Sequence, residues 1–127
     1  MKNVIYTPKA PNPVGPYSQA ILAGDTLYVS GQIAIDPSTN ELIKGTIEEE
    51  THRVFKNIEA ILDMINMTFE NVVKCSVFLS DMGNFGKVNA VYAEYFDEQT
   101  APARETVEVA NLPKYVNVEI SAIAVNN

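Results

Sequence analysis

Arg104 is the first residue whose type and surroundings suggest chemistry. It follows Ala101-Pro102-Ala103, where the proline restricts the backbone and the alanines leave room for a ligand. A guanidinium held in a fixed direction can bind a carboxylate through two parallel hydrogen bonds. A lone arginine after a proline can equally end in water or in a surface salt bridge, so the spacing alone does not decide its role.

Glu119 is the second candidate, because it interrupts an otherwise apolar stretch over 116–125. In a buried strand its pKa would be raised by desolvation, or lowered by a nearby arginine. In either case the carboxylate could orient or deprotonate a water molecule. The alternative is ordinary strand alternation, with Asn117, Glu119 and Ser121 all facing solvent, and the pattern by itself favours this alternative.

Two short motifs add further polar groups. Gly15-Pro16-Tyr17 supplies a phenol, and Ser30-Gly31-Gln32 supplies a hydroxyl and a glycine that permits close approach to the backbone. Turn formation and strand irregularity explain both motifs just as well.

The chain has one histidine, His52, and one cysteine, Cys75, which restricts the available chemistry. A single cysteine cannot form an intrachain disulfide, and no Cys/His spacing resembles a zinc site. A Ser-His-Asp or Cys-His mechanism would require His52, which lies in a predicted helix away from any nucleophile motif. We therefore predict no metal and no organic cofactor, a solvated His52 and an unreactive core thiol at Cys75.

Composition narrows the function further. The formal charge of −7 and the pI near 4.6 disfavour nucleic acid as a partner, since such binders present a basic patch. No segment is apolar and long enough for a signal peptide or a membrane span. We predict one cytoplasmic domain over 1–127.

Hydrophobic periodicity and turn signals predict the element order β-β-α-β-α-β-β. The predicted elements are strands over 18–23, 26–35, 72–79, 105–109 and 117–125, a helix that begins at the capping box Thr46-Ile47-Glu48-Glu49, and a helix from Ser80-Asp81 through about Phe96. Three- and four-residue spacing predicts an apolar stripe on each helix, formed in the first by Ile47, Val54, Ile58, Ile61, Leu62 and Ile65, and in the second by Phe85, Val88, Tyr92 and Phe96. In the strand over 72–79, Val73, Cys75, Val77 and Leu79 are predicted to lie on one side. The prolines before residue 18 predict an extended lead-in with few hydrogen bonds. We predict an α+β fold in which both helices pack on one face of a mixed sheet, and a partner subunit could cover the other face.

Six motifs, in order along nearly the whole chain, resemble the signature blocks of the RidA (YjgF) family. They are Gly15-Pro16-Tyr17-Ser18, Ser30-Gly31-Gln32-Ile33, Val88-Asn89-Ala90-Val91-Tyr92, Pro102-Ala103-Arg104, Val107-Glu108-Val109-Ala110-Asn111-Leu112-Pro113-Lys114 and Val118-Glu119-Ile120. The resemblance implies a chorismate-mutase-like (bacillus-type) α+β fold. It also implies a homotrimer whose sheets form a central barrel, with three ligand clefts between subunits.

The same resemblance implies hydrolysis of 2-imino or 2-enamino acids to 2-keto acids and ammonia, a reaction that limits metabolite damage. The implied substrates are 2-aminoacrylate, 2-iminopropionate and 2-iminobutyrate. By position, Arg104 would bind the substrate carboxylate and Glu119 would position or activate water. The same cleft would be lined by Tyr17, Ser30, Gly31 and Asn89.

The chain departs from the family pattern after Arg104. Thr106 stands where the family often has a cysteine, and Glu105 stands where a small residue is usual. The amide and hydroxyl of Thr106 can still donate hydrogen bonds to a carboxylate. Strand alternation predicts that Glu105 faces away from Arg104.

Two other functions remain open at this stage. A non-catalytic trimer could bind 2-keto acids, or a regulatory protein partner, in the same clefts, and turnover would distinguish it from the enzyme. The ribonuclease or translation-inhibitor activity sometimes ascribed to the family is disfavoured by the acidic composition and the absence of a histidine pair.

Overall fold

The computed structural model describes residues 1–126, which contain a six-stranded mixed sheet, a two-stranded hairpin and two α-helices. The elements are β1 Lys2–Ile5, β2 Ala20–Ala23, β3 Thr26–Gln32, β4 Ile35–Asp36, β5 Glu41–Leu42, α1 Ile47–Asp63, β6 Val72–Leu79, α2 Phe85–Tyr92, β7 Ala103–Glu108 and β8 Val118–Val125. The large sheet has the order β1-β2-β3-β8-β6-β7, in which only β6 and β7 are parallel. Asn127, the last residue of the predicted domain, lies outside the described residues.

The helix α1 begins where the sequence predicts. The hydroxyl of Thr46 accepts a hydrogen bond from the Glu49 amide at 3.1 Å, and the Glu49 carboxylate accepts one from the Thr46 amide at 2.9 Å. These two bonds also hold the pKa of Glu49 below its usual value. The predicted apolar stripe packs into the core through Val54, Ile58, Ile61 and Leu62, while Ile47 and Ile65 lie at its margin.

The second helix is shorter than predicted. Asp81 caps a 3₁₀ turn over Met82–Asn84 by accepting from the Gly83 amide, and α2 itself starts only at Phe85. After its C-terminal end the backbone tightens into hydrogen bonds between residues three apart, such as that from the Tyr95 amide to the Tyr92 carbonyl, so residues up to Phe96 form turns. Local tightening of the backbone at both ends explains why periodicity overestimated its length.

The N-terminal segment was wrongly predicted to be poor in hydrogen bonds. Residues 2–5 pair with β2 as strand β1. Beyond it, the buried side chain of Gln19 accepts from the Thr7 amide and donates to the carbonyls of Thr7, Ala10 and Pro11. One glutamine therefore satisfies the backbone groups that the prolines leave without strand partners.

The strand β6 corrects a second prediction. Cys75, Val77 and Leu79 are buried as expected, but Val73 is 47% exposed and Val72 takes its place in the core. The pairing register with β8 shifts between Val72 and Lys74, which reverses the alternation at that point.

Both helices and the main core lie on one face of the sheet, as predicted. The opposite face, which we call the open face, carries apolar side chains that no element of residues 1–126 covers. Val4, Tyr28 and Val107 are exposed there, and Phe78 and Ile123 are partly exposed. Neither helix in this part of the chain has the length and apolar character needed to span a membrane.

Candidate functional site

Arg104 is held in one direction by its neighbours. It lies on the edge strand β7, and its Nη1 donates to Oδ1 of Asn89 on α2 at 2.8 Å. The guanidinium carbon lies 4.6 Å from the ring centroid of Tyr92 and 5.6 Å from that of Phe85. Within residues 1–126 Arg104 forms no salt bridge. Its remaining donors are therefore available to an anion, and the surface salt bridge considered for it does not form.

A cavity of about 690 Å³ opens beside this guanidinium. Its lining residues are Asn89, Tyr92, Ala93, Phe96, Glu98, Ala101, Pro102 and Arg104. The volume lies in the range of small-molecule sites, and the walls combine apolar surface with a few polar groups as such sites do. Ala101 and Pro102, which precede Arg104 in sequence, form part of the wall.

Two buried hydroxyls near Arg104 have no hydrogen-bond partner in the described chain, those of Tyr92 and Thr106. Thr106 lies two residues after Arg104 on β7 and therefore on the same face. Burial raises the pKa of the Tyr92 phenol, so this group is neutral. Unpaired buried hydroxyls are costly, and these two belong to residues that adjoin Arg104.

Cys75 lies opposite Arg104 in the register of β6 and β7. Burial raises the pKa of its thiol to about 11, so the group is a protonated core thiol, as the sequence predicts. The thiol and the Tyr92 phenol are neighbours, but they do not meet the geometry of a hydrogen bond.

Glu119 lies on β8 in contact with β3. Strand alternation places Glu119 with Ser121 on the less buried face of β8, as the pattern favours. The side chain of Glu119 is nevertheless half-buried there, and desolvation raises its pKa. A Cβ on Gly31 would lie 2.8 Å from Cδ of Glu119, so only glycine leaves room for this side chain as it stands. Gly31 lies where the register between β3 and β8 shifts, between Val29 and Gln32.

Ser30 directly precedes Gly31 on β3 and binds the segment that follows Tyr17. Ser30 Oγ donates to the Ser18 carbonyl at 2.6 Å, and its amide donates to the Gln19 carbonyl at 2.9 Å. Tyr17, which immediately precedes Ser18, is 52% exposed. We therefore distinguish an arginine group, formed by Arg104, Asn89, Tyr92 and Thr106, from a glutamate group, formed by Glu119, Gly31, Ser30 and Tyr17.

The two groups do not meet within one chain. Arg104 pairs with Cys75, which faces the helices, whereas Glu119 pairs with Phe78, which faces the open face. Arg104 and Glu119 therefore lie on opposite faces. Because β6 lies between β7 and β8, they are also two strands apart, about 10 Å in the direction across the strands. A single cleft that contains both side chains would have to be built from two chains.

The start of β8 is fixed by a residue that the sequence did not indicate. The carboxylate of Glu50 on α1 accepts hydrogen bonds from the Asn117 amide at 2.9 Å, the Asn117 side chain at 2.9 Å and the Val118 amide at 3.2 Å. These bonds tie the helix to the residue directly before Glu119. No sequence signal separates Glu50 from the other acidic residues of the first helical turns.

Glu105 faces away from Arg104, as predicted. It forms a salt bridge of 3.0 Å with Lys74 and a hydrogen bond with Ser76, both on β6. The Ser76 hydrogen bond, followed by Lys74, holds the pKa of Glu105 below its usual value. The extra negative charge therefore does not oppose Arg104.

His52 is less solvated than predicted. Its Nδ1 lies 2.7 Å from the Tyr95 hydroxyl, and its Nε2 lies 3.7 Å from the Glu94 carboxylate. It belongs to neither of the two groups. Across residues 1–126, no three His, Cys, Asp or Glu side chains come together in a way that could hold a metal ion.

Sequence reasoning missed the residues that support the candidate site from below. The rings of Phe85 and Tyr92 pack against the guanidinium of Arg104. The sequence pattern had assigned both residues to the apolar stripe of the second helix. A stripe at helical spacing does not distinguish core residues from residues under a ligand site.

Comparison with known proteins is consistent with this architecture. Residues 7–126 match the family model described as endoribonuclease L-PSP. The chain is 54% identical to a RutC family protein of Pyrococcus horikoshii over 124 residues, 98% of each chain. It is 45% identical to the human 2-iminobutanoate/2-iminopropanoate deaminase, over 98% of this chain and 90% of the human one. A Rid family protein of Yersinia pestis has the same fold, with a TM-score of 0.95, 46% identity and coverage of 99% and 100%. The chain therefore belongs to the RidA (YjgF) family.

Proposed function

We propose that this protein is a hydrolytic deaminase that converts 2-imino and 2-enamino acids, such as 2-iminobutyrate, 2-iminopropionate and 2-aminoacrylate, to 2-keto acids and ammonia. The observation that carries the proposal is the immobilised Arg104 guanidinium, which borders a small-molecule cavity with most of its donors free. A planar fork in a fixed direction suits the carboxylate that all these substrates share. The name of the human relative, an iminobutanoate and iminopropanoate deaminase, supports the same chemistry.

Glu119 supplies the proton transfers in this mechanism. Its carboxylate accepts a proton from water as the oxygen bonds to the imine carbon, and the nitrogen takes up that proton to give a carbinolamine. The same carboxylate then carries the hydroxyl proton to the nitrogen, the C–N bond breaks, and ammonia leaves the keto acid. The raised pKa of Glu119 makes it a better base than a solvated glutamate. The imine carbon is already electrophilic, so positioning and proton transfer suffice.

The catalytic unit comprises at least two chains, and we propose a homotrimer. The opposite placement of Arg104 and Glu119 supports this, because one cleft can contain both only when each comes from a different subunit. The uncovered apolar side chains of the open face support it as well, since association would remove them from water.

The decisive experiment is a coupled assay in which an amino-acid dehydratase or oxidase generates the imine in the presence or absence of this protein. We expect ammonia release to accelerate with the amount of protein added, and Arg104→Ala to abolish the acceleration. Lys56→Ala, which removes an exposed cation of α1, is the control. If 2-ketobutyrate binds but the rate of imine decay does not change, the protein is a keto-acid-binding module instead.

A further inference from the structure

The cavity beside Arg104 contains a second charged side chain whose role is not explained by carboxylate binding. Of the eight lining residues only Arg104 and Glu98 are charged, and their charges are opposite. Glu98 forms no salt bridge and no side-chain hydrogen bond within residues 1–126. The carboxylate is therefore free to act on whatever fills the cavity.

The turn that carries Glu98 is itself well defined. Asp97 Oδ1 accepts from the Gln99 amide at 2.9 Å, and the Asp97 carbonyl accepts from the Thr100 amide at 3.0 Å. The neighbouring acid, Asp97, is thus occupied by its own turn, whereas Glu98 lines the cavity. The same cavity is lined by the apolar side chains of Ala93, Phe96, Ala101 and Pro102.

We propose that Glu98 determines which imino acids this cavity accepts, so that it favours cationic or apolar side chains and rejects acidic ones. The inference rests on the proposed function, because it requires the substrate carboxylate to lie on Arg104. From that anchor, the substituent on the imine carbon extends along the apolar wall towards Glu98. A second carboxylate at this end would meet a like charge, and a cationic group would meet an opposite one.

The size of the effect follows from the exposure of Glu98. This residue is exposed, so solvent screens its interactions and each charge pair changes binding by a factor of about two to five. The ratio of kcat/KM for a cationic imine to kcat/KM for an acidic imine contains both effects, the attraction of the cation and the repulsion of the anion. The expected preference for the cationic over the acidic imine attributable to Glu98 is therefore about tenfold.

The test compares kcat/KM for imines formed in situ from arginine, glutamate and 2-aminobutyrate, with the last as the reference for each variant. We expect Glu98→Gln to lower the arginine-to-glutamate ratio about tenfold, because it removes both charge pairs, and Glu98→Lys to lower it further, because it reverses both. Glu59→Lys reverses the same charge on the outer side of α1 and should leave the ratio unchanged. A ratio in Glu98→Lys equal to that of the wild type or of Glu59→Lys would overturn the proposal.

A binding measurement separates this proposal from the proposed function. Calorimetry gives the Kd values of 2-ketoglutarate and of 5-guanidino-2-oxopentanoate for the wild type and for Glu98→Lys. If Glu98→Lys changes the Kd ratio in favour of 2-ketoglutarate, the role of Glu98 is supported, even when no imine is turned over. Absence of turnover would contradict only the proposed deaminase activity. An unchanged Kd ratio, with turnover of 2-iminobutyrate intact, would contradict the role of Glu98 alone. Higher ionic strength should reduce the preference of the wild type for 5-guanidino-2-oxopentanoate over 2-ketoglutarate, because screening weakens interactions between exposed charges.

Discussion

Gly31 and Glu119 are in contact across β3 and β8, and the side chain of Glu119 occupies the space that any other residue at position 31 would need for its Cβ. A Cβ at position 31 would lie 2.8 Å from Cδ and 3.0 Å from Cγ of Glu119. Gly31 does not have a positive φ, so its requirement comes from Glu119 and not from backbone strain. The glycine thus determines where the proposed base can lie.

Gly31→Ala should fold and yet lose activity. The atoms in the way belong to the flexible end of Glu119, which can turn aside at little cost to stability. A base displaced by about 1 Å lowers the rate by about a hundredfold, so we expect kcat to fall by at least about tenfold with an unchanged melting temperature. Gly86→Ala is the matched control, since a Cβ there meets no atom within 4 Å. Wild-type turnover in Gly31→Ala would contradict the assignment of Glu119 as the base.

Arg104→Lys should fail almost as severely as Arg104→Ala. A lysine ammonium cannot reproduce the planar fork, and it loses the stacking on Tyr92. Hydrogen bonds to charged groups contribute about 1.5–3 kcal/mol each, so loss of the pair predicts at least about a hundredfold fall in kcat/KM. Imine hydrolysis and thermal melting of both variants test this. Near-normal turnover of Arg104→Lys, or loss of folding in either variant, would make Arg104 a structural residue.

Mixing two inactive variants should restore activity if each cleft takes Arg104 from one chain and Glu119 from another. Arg104→Ala and Glu119→Gln, refolded together in equal amounts, would form about a quarter of their clefts with both native side chains. We expect about a quarter of the wild-type activity from the mixture and almost none from either variant refolded alone. An inactive mixture that contains mixed oligomers by mass spectrometry would show that the two residues do not share a cleft.

The pH dependence of kcat/KM should report the raised pKa of Glu119. Desolvation destabilises the carboxylate, so its protonation begins at a higher pH than for a glutamate with the ordinary pKa of 4.5. The base must be deprotonated, and activity should therefore fall as the pH decreases through a value above 4.5. Glu119→Gln should remove this acidic limb together with most of the activity. If the residual activity of Glu119→Gln still falls over the same acidic pH range, the titrating group is not Glu119.

Glu50→Ala should destabilise the protein, because three donors at the start of β8 lose their acceptor. We expect a loss of about 1–3 kcal/mol in the free energy of unfolding, measured by urea titration. Glu59→Ala, an exposed position of the same helix, should change stability by less than about 0.5 kcal/mol. Equal stabilities of the two variants would mean that water replaces the Glu50 carboxylate without cost.

Local sequence signals predicted the parts of the fold that local interactions determine. The capping box at Thr46 and the apolar stripe from Val54 to Leu62 depend only on residues a few positions apart, and both are confirmed. Val73 was wrongly assigned to the core because its exposure depends on a register shift against β8, far away in sequence. The contacts of Gln19 with the proline-rich segment were missed for the same reason, since they join residues 8 to 12 positions apart through one side chain.

In the candidate site, too, the residue types could be recognised from the sequence, but the spatial arrangement could not. The chemistry of Arg104 and Glu119 could be recognised from their residue types, and the resemblance to a family assigned the roles. Their placement on opposite faces could not be inferred, because it depends on which residues of β6 pair with each of them. Glu98 and Tyr92 gave no distinct signal either, since one lies in a polar turn and the other in an apolar stripe.

The position of β7 at the edge of the sheet affects how Arg104 responds to thermal fluctuation. Within the described residues β8 has hydrogen-bonded neighbours on both sides, whereas β7 pairs only with β6. In a lone chain, every second amide of β7 therefore points away from any strand, and this segment opens at a lower free energy than the centre of the sheet. Warming or dissociation would thus release the carboxylate-binding arginine while the helices and the central strands are still folded. Loss of ligand affinity would then be the first sign of unfolding, before any spectroscopic change in secondary structure.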